Sequence, residues 1–155
     1  MEAMIGWAVT KVVENIYIWH QQELQPERLS DNMLSLFQKF KASYDSKNTT
    51  ELSRTISDSY SGSFYQAKTK SALIHFFNKN FNALPAFLYP RLTINVYQIL
   101  EDHNQVFRAI VDFKSDLNVA FVPVASYDSG RVYIEACPDG AYGIWKIKSI
   151  DTIKD

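Results

Sequence analysis

Residues 89–114 read YPRLTINVYQILEDHNQVFRAIVDFK, and this stretch decides the fold. Leu92, Ile94, Val96 and Leu100 recur at even spacing along its first half, and Phe107, Ala109, Val111 and Phe113 along its second. Alternation at period two puts the apolar side chains of each half on one face of a strand. Each half is about ten residues long, above the ordinary strand of about five or six. The polar tetrapeptide Glu101-Asp102-His103-Asn104 separates them. A parallel return needs about a dozen residues, so the two runs form an antiparallel hairpin. Its apolar face is long and must be covered by the rest of the chain.

The residues after the hairpin continue in strands. Ser115 to Asn118 reads as a turn, and Val119 to Ala125 as an edge or bulged segment because it contains Pro123. Tyr127-Asp128-Ser129-Gly130 reads as a second turn. Val132, Ile134 and Ala136 then alternate with Arg131, Tyr133, Glu135 and Cys137. Pro138-Asp139-Gly140 signals another turn. A last strand over 142–150 places Trp145 and Ile147 on one side and Ile144 and Ile150 on the other.

The residues before the hairpin supply helices. Thr69 is placed to cap a helix carrying Leu73, Phe76, Phe77, Phe81 and Leu84, which Pro85 ends. Ser30 caps another, with Asp31 favourably placed in its first turn and Met33, Leu36, Phe37, Phe40 and Tyr44 recurring at three and four. A short helix over 51–56 and an extended segment over 57–64 lie between. Residues 3–24 read as an amphipathic helix with Met4, Ile5, Ala8, Val9, Val12, Val13, Ile16, Trp19 and Leu24 on its wide apolar face. Their β-branched content, and the run Asn15 to Trp19, also admit a strand. Helices first and antiparallel strands last make an α+β domain. The expectation is one domain over 1–155, with an additional N-terminal helix and connector over 1–28 and a core over 30–150.

Composition narrows the function classes. The chain has 155 residues, 46% of them hydrophobic and 21% charged, with a net charge of −1. No cluster of Lys and Arg marks a nucleic-acid surface, and no uncharged run is long enough for a membrane-spanning helix. The start of the chain makes a poor signal peptide. The one cysteine, Cys137, cannot form an internal disulfide and suits a reducing, cytoplasmic compartment. His20, His75 and His103 have no metal-ligand spacing, so neither metal nor cofactor is expected. Aromatic residues reach 14%. Tyr60, Phe64, Phe77, Tyr97 and Trp145 could line a ligand cavity or fill it.

One polar group stands out on the strands: Arg108, Asp112, Arg131, Tyr133 and Glu135. Arg108 and Asp112 are four apart and share a face. That face could meet solvent, a second subunit or a pocket. Only in a pocket would its charges mark a site.

The order of a helix, a short helix (together Phe37 to Ile56), the segment Ser57-Asp58-Ser59-Tyr60-Ser61-Gly62, the Phe76/Phe77 helix and a closing strand with Gly143-Ile144-Trp145-Lys146-Ile147 resembles the nuclear transport factor 2-like (NTF2-like) superfamily. That superfamily includes ketosteroid isomerases, limonene epoxide hydrolases, scytalone dehydratases and SnoaL-type polyketide cyclases. The resemblance covers about residues 33–150 and rests on order and spacing. It implies a cystatin-like cone in which a curved sheet wraps around helices, with an apolar pocket at its open end and a homodimer formed through the sheet. In the isomerases a tyrosine of the first helix polarises the substrate oxygen, and an aspartate after the second helix is the base. By spacing these positions fall near Phe40 and Phe64, which can neither donate a hydrogen bond nor take a proton.

Two functions follow as expectations. The first is non-catalytic binding of a small apolar molecule or a partner protein, with a pocket drawn from Tyr60, Phe64, Phe77, Tyr97, Arg108 and Trp145. The second is a cofactor-free isomerase, dehydratase or hydrolase acting on a small hydrophobic substrate, for which Asp58, His75, Asp112 and Glu135 are the candidate acids or bases.

Overall fold

The computed structural model describes residues 7–13, 16–21, 29–119 and 122–153. Their elements run β1 Trp7–Val13, β2 Ile16–Gln21, α1 Asp31–Asp45, α2 Thr49–Ser53, a 3-10 turn Phe64–Gln66, α3 Lys70–Ala83, β3 Leu88–Asp102, β4 Phe107–Val119, β5 Val122–Asp139 and β6 Ile144–Thr152. The strands form a six-stranded sheet in chain order. Neighbours from β3 to β6 pair antiparallel, whereas β2 meets β3 in parallel.

The helices begin where their caps place them. The Ser30 hydroxyl accepts from the Met33 amide at 3.4 Å, and the Thr69 hydroxyl from the Ala72 amide at 3.2 Å. Each satisfies an amide that the first turn leaves without a partner. Helix α1 buries Met33, Leu36, Phe37 and Phe40, while α3 buries Leu73, Phe77 and Phe81. These pack on the inner face of the sheet, which contributes Leu92, Ile94, Val96, Phe107, Ala109, Val111, Val132, Ile134 and Ala136. Phe37 and Phe107 meet edge to face, with ring centroids 5.9 Å apart and planes at 82°.

The described residues of the stretch 3–24 do not form the helix expected there, and the connector expected up to residue 28 lies outside the described residues. Those described make the β1–β2 hairpin, with Trp7 opposite Gln21 and Val13 opposite Ile16. Two local facts favour the strand. Val9, Thr10, Val12, Val13, Ile16 and Ile18 are β-branched and suit a pleated surface better than a helix. The edge of β3 also offers backbone partners, which Ile16, Tyr17 and Ile18 take opposite Ile94, Asn95 and Val96. Ile16 is buried in the core.

The strands are longer and more irregular than the alternation implies. The turn expected at 115–118 lies inside β4. The turn signal Tyr127 to Gly130 produces a bulge within β5, because Asp112 faces Arg131 while Lys114 faces Asp128. Ser129 and Gly130 therefore stand opposite Phe113 alone. The Ser129 hydroxyl accepts the Phe113 amide at 3.0 Å, and Gly130 takes a φ of +73°, a conformation that glycine adopts without strain. Shifts in β3 after Val96 and Ile99 leave Leu100 exposed, although its spacing had put it inside. In β6 a shift beside Lys148 brings both Ile147 and Ile150 into the core. Each extra residue reverses the faces downstream of it.

Candidate functional site

The cone opens between α1, α3, the 3-10 turn and the middle of β4, on a cavity of about 360 Å³. Phe40 and Tyr44 project from α1, Phe77 and Phe81 from α3, and Phe113, Ser115 and Leu117 from β4. Helical spacing at four stacks the two pairs one above the other. On β4, period two carries the inward series from Phe113 to Ser115 and Leu117. The rings interlock: Tyr44 lies 5.1 Å from Phe81 and 6.0 Å from Phe77, while Phe113 lies 5.6 Å from Phe40 and 5.9 Å from Phe64, centroid to centroid.

Tyr65 forms part of the rim. Its backbone takes φ 49° and ψ 33°, a left-handed conformation unusual for a large side chain. That turn lays its ring flat on Phe76, with centroids 4.4 Å apart and planes at 18°. The next residue, Gln66, is left-handed as well, at φ 63°.

The cavity's polar equipment is sparse. The Tyr44 hydroxyl donates to Ser115 Oγ at 2.9 Å. Burial pushes the Tyr44 phenol above its ordinary value, so it stays protonated near neutrality. Asn80, Ser129 and the phenols of Tyr65 and Tyr127 add to the polar lining; the Asn80 amide is turned to the Phe76 carbonyl at 2.8 Å and Ser129 is occupied by β4. No carboxylate, histidine, lysine or arginine lies among the cavity residues described.

The residues singled out from the sequence scatter. Phe64 and Phe77 line this cavity, and so does Phe40, which with Phe64 falls by spacing near the positions of the isomerase groups. Tyr60 is buried against β6, where its hydroxyl donates to the Ile150 carbonyl at 3.3 Å and burial lifts its pKa to about 12. Trp145 lines a separate groove beside α1 and α2. Asp58 is exposed and bonded to Lys70 at 2.8 Å, which holds its carboxyl below the usual range. His75 is exposed on α3.

Arg108, Asp112, Arg131, Tyr133, Glu135 and Tyr97 lie on the outer face of the sheet, away from the cavity. The sequence left that facing open, and the inward burial of Ala109, Val111, Val132 and Ile134 decides it. Arg108 bridges Glu101 at 2.5 Å and Glu135 at 3.1 Å. Asp112 is 6% exposed despite facing outward. It accepts from Asn95 Nδ2 at 2.7 Å and from the Tyr97 hydroxyl at 2.9 Å, while Arg131 stacks 4.4 Å over the Tyr97 ring. Burial raises the Asp112 pKa, and the two hydrogen bonds partly offset the shift. Desolvation is also the main reason the Tyr97 phenol sits at about 12, reinforced by Asp112. Cys137 is half-buried, with its thiol pKa raised mainly by that burial.

The sequence reading missed Tyr65, Phe76, Phe113, Ser115 and Tyr127 as cavity residues. Ser115 carried a signal: it continues the inward series Phe107, Ala109, Val111, Phe113 as its first polar member. Tyr127 carried none, since its place depends on the β5 bulge.

No family model and no curated protein matches the sequence. Solved structures do match the fold. ActVI-ORFA from Streptomyces coelicolor is 13% identical and superposes with a TM-score of 0.59 over 80% of this chain and 92% of its own. A domain of unknown function with a cystatin-like fold from Nostoc punctiforme is 14% identical, with a TM-score of 0.57 over 79% of this chain and 75% of its own. This chain has the NTF2-like, cystatin-like fold. A third neighbour, a Catenulispora acidiphila protein in complex with S-DNPA, is 12% identical, with a TM-score of 0.60 over 77% of this chain and 90% of its own. At such identities the likeness carries the cone and its helices, and function must be argued from the site. No helix among the described residues is long and apolar enough to cross a membrane.

Proposed function

We propose that the protein binds a small, planar, apolar molecule bearing one hydrogen-bonding oxygen, in the cavity between α1, α3 and β4, without catalysing its conversion. The observation that carries this reading is the lining itself: aromatic rings from α1, the 3-10 turn, α3, β4 and β5, with the Tyr44–Ser115 hydroxyl pair among them and no carboxylate or basic side chain. The cavity offers tyrosine phenols but no carboxylate or histidine, the groups that most often carry general acid–base chemistry near neutral pH. By spacing, the positions where the isomerases carry their acid and base groups fall near Phe40 and Phe64. A cavity of about 360 Å³ is at the lower end of small-ligand pockets. Burying about 200 Å² of an aromatic ligand contributes roughly 5 kcal/mol, which suits a bicyclic arene bound in the sub-millimolar range or tighter. The S-DNPA complex of a fold neighbour supports the reading by analogy.

An NMR titration with 2-naphthol and naphthalene tests it. The wild type should bind 2-naphthol more tightly, with shifts at Tyr65 and Phe113, and Tyr44→Phe should erase the preference while keeping the affinity for naphthalene. Absence of shifts at these residues with either compound at about 1 mM would refute the binding reading.

The second part of the proposal is a homodimer through the outer sheet face, where Tyr133 and Leu100 are 46% and 45% exposed beside the Arg108–Glu135 pair. Light scattering should return twice the chain mass of 17.9 kDa. A value equal to the chain mass overturns the dimer.

A further inference from the structure

A second concavity, of about 530 Å³, lies on the other side of α1 from the aromatic cavity. Three elements build it. On α1, Leu36, Lys39, Ser43 and Ser46 follow one another at three and four and form a single stripe. Helix α2 supplies Glu51, and the residues after it supply Arg54 and Thr55. The segment after α2 is zipped to β6, because the Ile147 amide donates to the Thr55 carbonyl at 2.8 Å and the Ser57 amide to the Ile147 carbonyl at 2.9 Å. That pairing holds the start of β6, with Ile144, Trp145 and Lys146, alongside α1 as the third wall.

The resulting groove has an apolar floor and a cationic rim. Leu36, Ala42 and Trp145 give the floor, with Ile144 at its edge, 53% exposed to solvent. The rim carries Lys39, Arg54 and Lys146 against one carboxylate, Glu51, which is already engaged by Arg54 at 2.6 Å. Lys39 and Lys146 make no ion pair among the described residues, although Lys146 helps Lys70 to hold the Asp58 carboxyl down from outside the groove. Among the lining residues the surplus is two positive charges over an apolar trough, on a chain whose net charge is −1.

From this juxtaposition we infer that the groove between α1, α2 and β6 binds an alkanoate, with its chain on Leu36 and Trp145 and its carboxylate between Lys39 and Lys146. A neutral chain of the same length would satisfy the floor and leave both ammonium groups without an anion. An inorganic anion would leave the floor wet. The alkanoate satisfies both, since charge-assisted hydrogen bonds are about twice as strong as neutral ones and apolar burial adds to them. The site is separate from the aromatic cavity and does not depend on the function proposed for it.

Octanoate and octanol, titrated into ¹⁵N-labelled protein, test the inference. Octanoate should shift the amides of Lys39, Ser43 and Ile144 and the Trp145 indole N–H in a saturable way, and octanol should bind there about tenfold more weakly. A Lys39→Gln/Lys146→Gln variant, both sites being solvent-accessible, should lose about tenfold for octanoate and keep its octanol affinity. Equal binding of the two probes, undiminished octanoate affinity in the variant, or shifts that map to Tyr65 and Phe113 instead would each overturn it.

Discussion

Replacing Gly62 by alanine tests how tightly the segment after α2 is held against β6. The Ser61 amide donates to the Lys148 carbonyl at 3.0 Å and the Ser63 amide to the Ile150 carbonyl at 3.1 Å, so Gly62 lies between two backbone contacts. A Cβ there would stand 2.4 Å from the Ile150 carbonyl oxygen, 2.6 Å from the Tyr60 hydroxyl and 3.1 Å from the Ile150 nitrogen. Carbon and oxygen approach to about 3.3 Å at closest, so segment and strand must part by close to an ångström. The Tyr60 ring is buried and bonded to the same carbonyl, and that carbonyl cannot retreat, because β6 is paired along its length to β5. Overpacking of this kind costs about 1–3 kcal/mol, and weakening the Ser63 and Tyr60 hydrogen bonds to Ile150 costs up to about 1 kcal/mol each. The stiffer unfolded chain returns about 0.4–1 kcal/mol. The expected net loss is about 2–4 kcal/mol, which for a chain of this size lowers Tm by about 5–15 °C. Thermal and urea unfolding followed by circular dichroism measure it. Gly130→Ala is the control: nothing lies within 4 Å of its Cβ, so its cost of about 1–2 kcal/mol comes from the φ of +73° alone. A Gly62→Ala variant within about 0.5 kcal/mol of wild type would show the close approach to be wrong.

Three further outcomes are expected. Phe37→Ala, at a fully buried ring against Phe107, should cost about 3–5 kcal/mol in urea unfolding, and the double-mutant cycle with Phe107→Leu should return a coupling of about 0.5–1.5 kcal/mol. Gln66→Gly should stabilise the protein by several tenths of a kcal/mol, because Gln66 is exposed and left-handed; a loss of stability would refute the strain at that position. Asp112 gives a pH dependence. An acid whose pKa is raised on folding holds its proton more firmly when folded, so its contribution to stability is greatest below the unfolded value of about 3.9 and is lost as pH rises through the folded value. The stability of wild type relative to Asp112→Asn, measured by urea unfolding from acid to neutral pH, should therefore fall as pH rises, and a rising difference would contradict the assigned burial.

The legible parts of this fold were those with a single strong period. Phe107, Ala109, Val111 and Phe113 declared an inward face, and Phe37 with Phe40, and Phe77 with Phe81, declared helical stripes that ended at recognisable caps. What the alternation could not convey was where it skips. The extra residues at Leu100, Gly130 and Lys148 change which side chains face the core, and where each falls is set by the register with the neighbouring strand, not by residue type. The N-terminal hairpin was hidden for a related reason: its apolar residues fit either period, and the partner that selects the strand is β3. The site was legible in part. Phe64 and Phe77 were identifiable as cavity candidates from their aromatic type and place near the helices. Tyr97 and Arg108 shared their strands with core residues but point the other way, and a residue's type alone does not report its face.

The parallel contact between β2 and β3 also orders the events of folding. The β1–β2 hairpin is local and is synthesised before β3, and the strand it must join is made only after α1, α2 and α3. Parallel pairing over so long a loop is closed late and slowly. Until then the edge of β3 at Ile94 to Val96 is open in any chain whose β3–β4 hairpin has already formed, and a second nascent chain offers the same strand. Folding yield should therefore fall with concentration more steeply than stability does, and the tethered hairpin acts as an internal competitor for that edge.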